Sequence, residues 1–119
     1  LKIFEEVIKN LRPNKEQMLK LANNGYITAT DLADYLVKNH SLSFRKAYQK
    51  TAGIVNLAEK KKKNLNELSL DEMKKIIPGL KGDVLKVFDL KNSVNSKRSY
   101  GGTSFDNIKK MIMKYKKTK

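Results

Sequence analysis

The sequence predicts an all-α fold, a small domain of about six or seven helices that includes helix-turn-helix-like pairs. Apolar residues recur three and four positions apart along most of the chain, which places them on one face of a helix. Capping residues, Gly and Pro stand between these periodic segments, where helices begin and end. No stretch alternates apolar and polar residues as a half-buried strand does. With 119 residues, of which 39% are apolar, the chain has enough material for one modest core.

Two helices are predicted before Gly25. The first has an apolar face at helical spacing, made of Leu1, Phe4, Val7, Ile8 and Leu11. Arg12-Pro13 ends it, because the residue before a proline disfavours helical geometry. Asn14 caps the second helix, with Gln17 at the capping-box position. The apolar face of that helix consists of Met18, Leu19, Leu21 and Ala22.

Two longer helices follow as the predicted helix-turn-helix-like pair. Thr28 begins the third helix with Asp31 three residues on, and Lys38-Asn39 closes it, which leaves His40 in a polar loop. Ser43 begins the longest helix, which runs into the lysine tract at 60–63. The apolar stripe of this helix consists of Phe44, Ala47, Tyr48, Thr51, Ile54, Val55 and Ala58.

The second half of the chain predicts shorter elements. Ser69 and Glu72 form a capping box for one short helix, and another covers Asp83–Phe88. The polar, turn-rich stretch from Asp89 to Gly102 is predicted to be a long loop. Thr103 then begins the last helix, whose apolar stripe consists of Phe105, Ile108, Ile112 and Tyr115.

The positive charge of the chain is compatible with a nucleic-acid-binding module. The chain has 26 Lys and Arg against 12 Asp and Glu, a net charge of +14. Residues 28–58 resemble in outline a unit that places a helix in the DNA major groove, with Arg45, Lys46, Gln49 and Lys50 near the start of its second helix. Almost all the basic residues are Lys, however, and base readout favours the rigid fork of Arg. Nucleic-acid binding is therefore the alternative hypothesis and not the first.

Several functional classes are disfavoured by composition. The chain has no cysteine and a single histidine, His40, so it offers no disulfide, no thiolate site and no histidine pair for a metal. No uncharged run exceeds the ten residues from Leu21 to Thr30, so no membrane span is expected. Carboxylate pairs fall in or near the first turn of a helix, where acids offset the helix dipole, or on an exposed face. We therefore predict a cytoplasmic protein with no catalytic, cofactor-binding or metal-binding residue and no cofactor.

Three segments carry a recognisable pattern. They are Gly-Tyr-Ile-Thr-Ala-Thr-Asp-Leu-Ala-Asp-Tyr-Leu-Val-Lys at 25–38, Leu-Ser-Phe-Arg-Lys-Ala-Tyr at 42–48 and Asn-Ser-Val-Asn-Ser-Lys-Arg-Ser-Tyr-Gly-Gly-Thr at 92–103. In this order and spacing they resemble signatures of argininosuccinate lyase. The second segment resembles the "PFREAH" segment of that family, and the third resembles its "SV…R…GGT" ending. The chain departs from that pattern at Tyr48-Gln49, where the family often has Ala-His.

The resemblance implies a specific parent enzyme. The family belongs to the fumarase/aspartase superfamily and cleaves argininosuccinate into arginine and fumarate without a cofactor. Its members are homotetramers built around a central helical bundle. Their catalytic serine lies in a "GSSxMPxKxN" loop and a histidine elsewhere assists, and neither segment occurs in this chain. The resemblance thus implies that residues 1–13 are the end of a central-bundle helix and that residues 14–119 are the C-terminal all-α domain, whose partners are the rest of the lyase chain and the tetramer.

The resemblance also singles out a set of motif residues, for which a structural role is predicted. They are Thr28, Thr30, Asp31, Asp34, Tyr35, Phe44, Arg45, Ser93, Val94, Arg98, Gly101, Gly102 and Thr103. Thr28 is expected to cap a helix, Gly101 and Gly102 to take positive φ, and Arg98 to tie the long loop to a carboxylate or carbonyl. In the functional alternative, the domain helps to close the active site over its dianionic substrate. A third possibility is a scaffold domain that has lost its enzyme.

Overall fold

The fold is all-α, as the sequence predicts. The computed structural model describes residues 2–117, so Leu1, which the pattern includes in the first helix, and Thr118 and Lys119 lie outside the described residues. Within that range the α-helices are α1 (Lys2–Asn10), α2 (Lys15–Asn23), α3 (Ala29–His40), α4 (Phe44–Lys61), α5 (Leu70–Lys74), α6 (Leu90–Ser96) and α7 (Phe105–Lys116). Two 3₁₀ helices cover Leu65–Glu67 and Gly82–Phe88.

The core lies between α3, α4 and the short elements that follow them. Leu32 and Leu36 on α3 belong to the same core cluster as Ile54 on α4, and all three side chains are fully buried. The segment after α4 folds back over this pair of helices. It completes the core with Leu65, Leu68, Met73, Ile77, Leu80, Val84 and Phe88. The helix pair predicted from 28–58 is therefore the centre of the domain.

Three predicted helix starts are confirmed by side-chain caps. The side chain of Asn14 accepts a hydrogen bond from the backbone N–H of Gln17 at 3.0 Å. Ser43 accepts one from the N–H of Lys46 at 3.5 Å at the start of α4. Ser69 and Glu72 form the predicted capping box, in which each side chain accepts from the backbone N–H of the other residue. Each cap satisfies backbone donors that have no partner within the helix.

The prediction of a loop over Asp89–Gly102 is wrong, because this stretch contains α6. Asp89 ends the second 3₁₀ helix and caps the next helix, since its carboxylate accepts hydrogen bonds from the N–H groups of Lys91 at 2.7 Å and Asn92 at 3.1 Å. Ser and Asn side chains dominate α6, and these residues usually favour turns. A strong cap and tertiary contacts override that local preference.

Two predicted helix boundaries and one predicted side-chain cap also need correction. The last helix begins after Ser104 and not after Thr103, because the Ser104 hydroxyl accepts the hydrogen bond from the N–H of Asn107. Thr28 stands at the N-cap position of α3, but its side chain makes no capping hydrogen bond. His40 is the last residue of α3 and not part of the loop, and its ring lies 5.8 Å from that of Tyr35.

Both ends of the described chain carry apolar faces that this chain does not bury. On α1, Phe4 and Ile8 are 69% and 67% exposed, and neither α2 nor α7 contains a buried residue. The radius of gyration is 18.3 Å, against about 13.5 Å for a compact domain of this length. The predicted inward stripe of α4 is also incomplete, because Phe44 and Tyr48 are more than half exposed. Periodicity located these faces without revealing whether this chain covers them.

Candidate functional site: a cleft between α3 and α6

A cleft of about 540 Å³ lies between α3 and α6. Four of the predicted motif residues line it, and they come from the first and the third of the recognisable segments. These are Asp31, Asp34, Tyr35 and Ser93. The fold thus brings together two segments that lie about 60 residues apart in the sequence.

Asp31 joins the two walls of the cleft. One carboxylate oxygen accepts a hydrogen bond from the Ser93 hydroxyl and the other accepts one from the Lys97 ammonium, both at 2.5 Å. The Asp31 side chain is 12% exposed and that of Lys97 is 45% exposed, so the ion pair is shielded from water on one side. The hydrogen bond from Lys97 to Asp31 raises the pKa of Lys97 above its ordinary value. One carboxylate therefore connects the first turn of α3 to both the middle and the end of α6.

Tyr35 forms a second connection from α3, one turn further along the helix. Its hydroxyl donates a hydrogen bond of 2.7 Å to Asp83 at the start of the second 3₁₀ helix. Partial burial of the ring, followed by the bond to the negatively charged Asp83, raises the pKa of Tyr35 to about 12. At neutral pH the phenol is therefore a fixed donor, which positions the wall of the cleft.

The side chains of Asp34, Lys38 and Lys86 take no part in these connections. All three are exposed and line the cleft, and among the described residues none of them forms a hydrogen bond or an ion pair. Asp34 lies near enough to Lys97 to contribute electrostatically to its raised pKa. The cleft therefore carries two ammonium groups and one carboxylate that the fold leaves uncommitted.

Thr28 and Thr30 differ in their surroundings although both belong to the first motif. Thr28 is 6% exposed, and its carbonyl accepts the N–H of Leu32 at 3.1 Å. Thr30 is exposed in the first turn of α3 and does not line the cleft. Only the backbone of Thr28 thus takes part in the start of the helix.

The second motif lies away from the cleft. Phe44 and Arg45 are exposed in the first turn of α4, where the rings of Phe44 and Tyr48 lie 6.4 Å apart. The structure therefore does not unite all three motifs at one place. Leu42 and Ala47 of the second motif pack in or against the core, and its aromatic and basic side chains remain exposed.

The end of the third motif forms the turn between α6 and α7. Val94 is exposed on α6, and Arg98 donates from Nε to the carbonyl of Asn95 at 3.3 Å, so the expected tie to a carbonyl is local. Gly101 has the expected positive φ, +76°, but Gly102 does not. Thr103 is exposed and is not the cap of α7.

Gly102 is required for a close approach and not for positive φ. A Cβ atom at this position would lie 2.3 Å from the carbonyl oxygen of Lys97, and that oxygen accepts the N–H of Ser104 at 3.2 Å. Backbone atoms are less able to move aside than the tip of a side chain, so the turn excludes any larger residue. The Gly-Gly pair thus fixes the path from α6 to the cap of α7 by two different means.

Sequence reasoning missed three residues that bind the motif residues or line the cleft with them. Asp83 and Lys86 lie between the motifs, on a 3₁₀ segment that periodicity describes only as a short helix. Lys97 lies within the third motif but carries no signal that separates it from the other 22 lysines of the chain. Only the fold identifies these three residues. Asp83 and Lys97 bind partners that are distant in sequence, and Lys86 reaches the same cleft without such a bond among the described residues.

The described residues suggest neither metal chemistry nor a membrane span. Within residues 2–117 no group of three His, Cys, Asp or Glu side chains is placed to hold a metal ion. No helix in that range is long and apolar enough to cross a membrane. What the cleft offers is charge and hydrogen bonding, through ammonium, carboxylate, hydroxyl and amide groups.

Comparison with known proteins gives a consistent result. A family model described as "Argininosuccinate lyase C-terminal" matches residues 26–95. A protein named argininosuccinate lyase from Pelagibacter ubique is 78% identical over 116 residues, which are 98% of this chain and 25% of that protein.

More distant relatives carry the same name. Argininosuccinate lyase of Ehrlichia chaffeensis is 46% identical over 98% of this chain and 25% of its own length. That of a Nitratiruptor species is 46% identical over 94% of this chain and 24% of its own length. The chain therefore spans about a quarter of the length of the curated relatives it matches.

Proposed function

Because this chain belongs to the argininosuccinate lyase family, we propose that it forms the C-terminal part of an enzyme that cleaves argininosuccinate to arginine and fumarate in arginine biosynthesis. The match to the C-terminal family model over 26–95 carries the proposal. The catalytic groups are then supplied by the remainder of the lyase, since the serine loop and assisting histidine of the family have no counterpart in this sequence. The isolated chain is inactive on this proposal.

The role of the motif residues in this part of the enzyme is structural. Support comes from Asp31, whose carboxylate binds Ser93 and Lys97 and so connects the first motif to the third. Tyr35 adds a second connection through Asp83. These contacts hold the domain together without leaving the carboxylate or the phenol available for proton transfer to a substrate.

The partners are the remainder of the lyase chain and a cytoplasmic homotetramer. Residues 1–13 are the end of a central-bundle helix and residues 14–119 the C-terminal domain. The exposed apolar face of α1 supports this division, because a bundle helix buries such a face against neighbouring helices. No membrane and no cofactor take part.

Two activity measurements test the proposal. Fumarate release from argininosuccinate, followed by ultraviolet absorbance, should be absent for the 119-residue chain alone. A chimera in which this chain replaces the matching quarter of the Pelagibacter ubique relative should be active, because the two sequences are 78% identical there. Turnover by the isolated chain, or a folded but inactive chimera, would contradict the proposal.

The same chimera separates the structural role from a role in closing the active site. If Asp31 is structural, Asp31→Asn lowers the melting temperature and leaves kcat/KM unchanged at a temperature where the protein is folded. If the domain closes over the dianionic substrate, the variant lowers kcat/KM without a matching loss of stability. Thr30→Ala, on the same turn of α3 but outside the cleft, is the control.

The alternative is a free-standing basic module that binds nucleic acid. The exposed Arg45, Lys46 and Gln49 at the start of α4 are the observation that favours it. A dedicated binder retains duplex DNA at physiological salt and shows a steep salt dependence. We expect the chain to release DNA well below that salt concentration, as an incidental basic surface does.

A further inference from the structure

We propose that the cleft between α3 and α6 is a binding site for a free α-amino acid. The ligand's carboxylate lies between the ammonium groups of Lys38 and Lys86, and its ammonium group is bound by Asp34. This site is separate from the cleavage of argininosuccinate, so it does not depend on the proposed function.

The size and rigidity of the cleft suit a small ligand. Its volume of about 540 Å³ falls within the about 300–1,000 Å³ typical of small-molecule sites. The bonds from Asp31 to Ser93 and Lys97, and from Tyr35 to Asp83, fix the cleft walls before any ligand arrives. A preformed site loses less conformational entropy on binding than one that must be ordered by its ligand.

The uncommitted charges define the chemistry of the ligand. Lys38 and Lys86 offer two positive groups and Asp34 offers one negative group, and among the described residues none is engaged by a hydrogen bond or an ion pair. A purely anionic ligand such as phosphate is attracted by the two lysines but is repelled by Asp34, which it leaves unpaired. A purely cationic ligand meets repulsion from the two lysines. An α-amino acid, with opposite charges on neighbouring atoms, satisfies both.

Neutral groups in the cleft add hydrogen-bond acceptors for an ammonium group. The amide nitrogens of Asn39 and Asn92 are used by the backbone carbonyls of Tyr35 and Lys86, at 3.1 and 3.2 Å. The amide oxygens of both residues remain as acceptors. Val87 and the ring of Tyr35 form a partly buried apolar surface for the ligand's side chain.

Titration of the 119-residue chain followed by its backbone amide NMR signals tests the proposal. The ligands are L-leucine, L-arginine and L-glutamate, which have apolar, basic and acidic side chains. Each amino acid is compared with two analogues, one that lacks the α-ammonium group and one that lacks the α-carboxylate. For glutamate these analogues are glutarate and 4-aminobutyrate, respectively. At least one amino acid should cause saturable shifts confined to α3, α6 and the second 3₁₀ helix. Both of its analogues should bind about tenfold more weakly or worse, a difference of about 1.4 kcal/mol.

Substitutions assign the charges of the ligand to residues. Lys38→Ala and Lys86→Ala should each weaken binding of the amino acid several-fold. Asp34→Asn should bind the amino acid no more tightly than the analogue that lacks the ammonium group. Within residues 2–117 these side chains make no hydrogen bond, so the variants should keep the dispersed spectrum of the parent. Lys60→Ala, an exposed lysine outside the cleft, is the matched control and should bind as the parent does.

The possible results are clearly separated. Saturation by one amino acid, with the loss in the cleft variants alone, supports the site. Absence of saturable shifts with all three amino acids overturns the proposal. An analogue that binds as tightly as its parent amino acid overturns it too, because the surface would then be a simple charge patch. Equal losses of affinity for the amino acid in Lys60→Ala and Lys86→Ala would also overturn the proposal.

Discussion

The middle of the chain and its two ends contain equally clear helical patterns but differ in what those patterns bury. From Thr28 to Ser104, which we call the braced region, the apolar stripes of α3 and α4 form a core and polar side chains join distant segments. In the end helices α1, α2 and α7, apolar faces of similar spacing remain exposed. An amphipathic pattern therefore indicates that a helix has an apolar face to cover, without indicating whether its partner lies in the same chain.

The contrast predicts a large difference in stability between matched truncations. Ile54→Ala removes a fully buried side chain from α4 and should lower the free energy of unfolding by about 2–5 kcal/mol, because it loses burial and leaves a cavity. Ile8→Ala makes the same chemical change on α1, where the side chain is 67% exposed. It should change the free energy of unfolding by less than about 0.5 kcal/mol. Urea unfolding followed by circular dichroism measures both.

Equal effects of the two substitutions would remove the distinction between the regions. Ile112→Ala on α7 repeats the comparison at the other end of the chain, because Ile112 is 49% exposed. A large loss in either end variant would mean that the end helices pack in solution, against the braced region or a second copy. Sedimentation at several protein concentrations distinguishes these two packings.

The sequence predicted which helices the braced region contains better than it predicted where each helix begins and ends. Ser43, Ser69 and Glu72 act locally, so their caps followed from spacing alone. By contrast, α6 was missed because its Ser and Asn residues favour turns by themselves. The helix depends on the cap by Asp89 and on bonds from Ser93 and Lys97 to Asp31, and the latter two span more than 60 residues.

The site was predictable in part for the same reason. The motif pattern pointed to Asp31, Tyr35 and Ser93, but it did not show that they line one cleft. Gly102 was expected to take positive φ and instead allows a close backbone approach to Lys97. Both features depend on atoms brought together by tertiary folding, which local spacing does not encode.

The second prediction concerns the connection that closes the braced region. Asp31→Asn removes the negative charge facing Lys97 while leaving an oxygen that accepts from Ser93. It should lower the free energy of unfolding by about 1 kcal/mol, since the lysine is partly solvated and the ion pair is correspondingly weakened. Asp34→Asn, one turn later on the same helix, is the control and should change stability by less than about 0.5 kcal/mol.

The pH dependence sharpens this second test. Asp31 raises the pKa of Lys97 above its ordinary value of 10.5, so the ion pair contributes fully below pH 10.5. Its contribution is lost as the pH rises through the higher pKa of the folded state. The difference in stability between parent and Asp31→Asn should therefore be constant near neutrality and shrink in alkali. A difference that grows with pH would contradict the ion pair.

The smallest expected effect belongs to Tyr35, where the connection is a single hydrogen bond at the partly exposed edge of the core. Tyr35→Phe should lower the free energy of unfolding by about 0.5–1 kcal/mol. The absorbance difference between parent and variant isolates the ionisation of Tyr35, whose pKa is raised from 10.0 to about 12. Because the folded-state pKa of Tyr35 is the higher one, its contribution to stability is complete below pH 10.0 and is lost as the pH rises through about 12.

Asp83→Asn should lower the pKa of Tyr35 only part of the way towards 10.0, since burial of the ring is the larger cause of the raised pKa and remains in this variant. A difference spectrum that already titrates at 10.0 in the parent would mean that Tyr35 does not join α3 to Asp83 in solution.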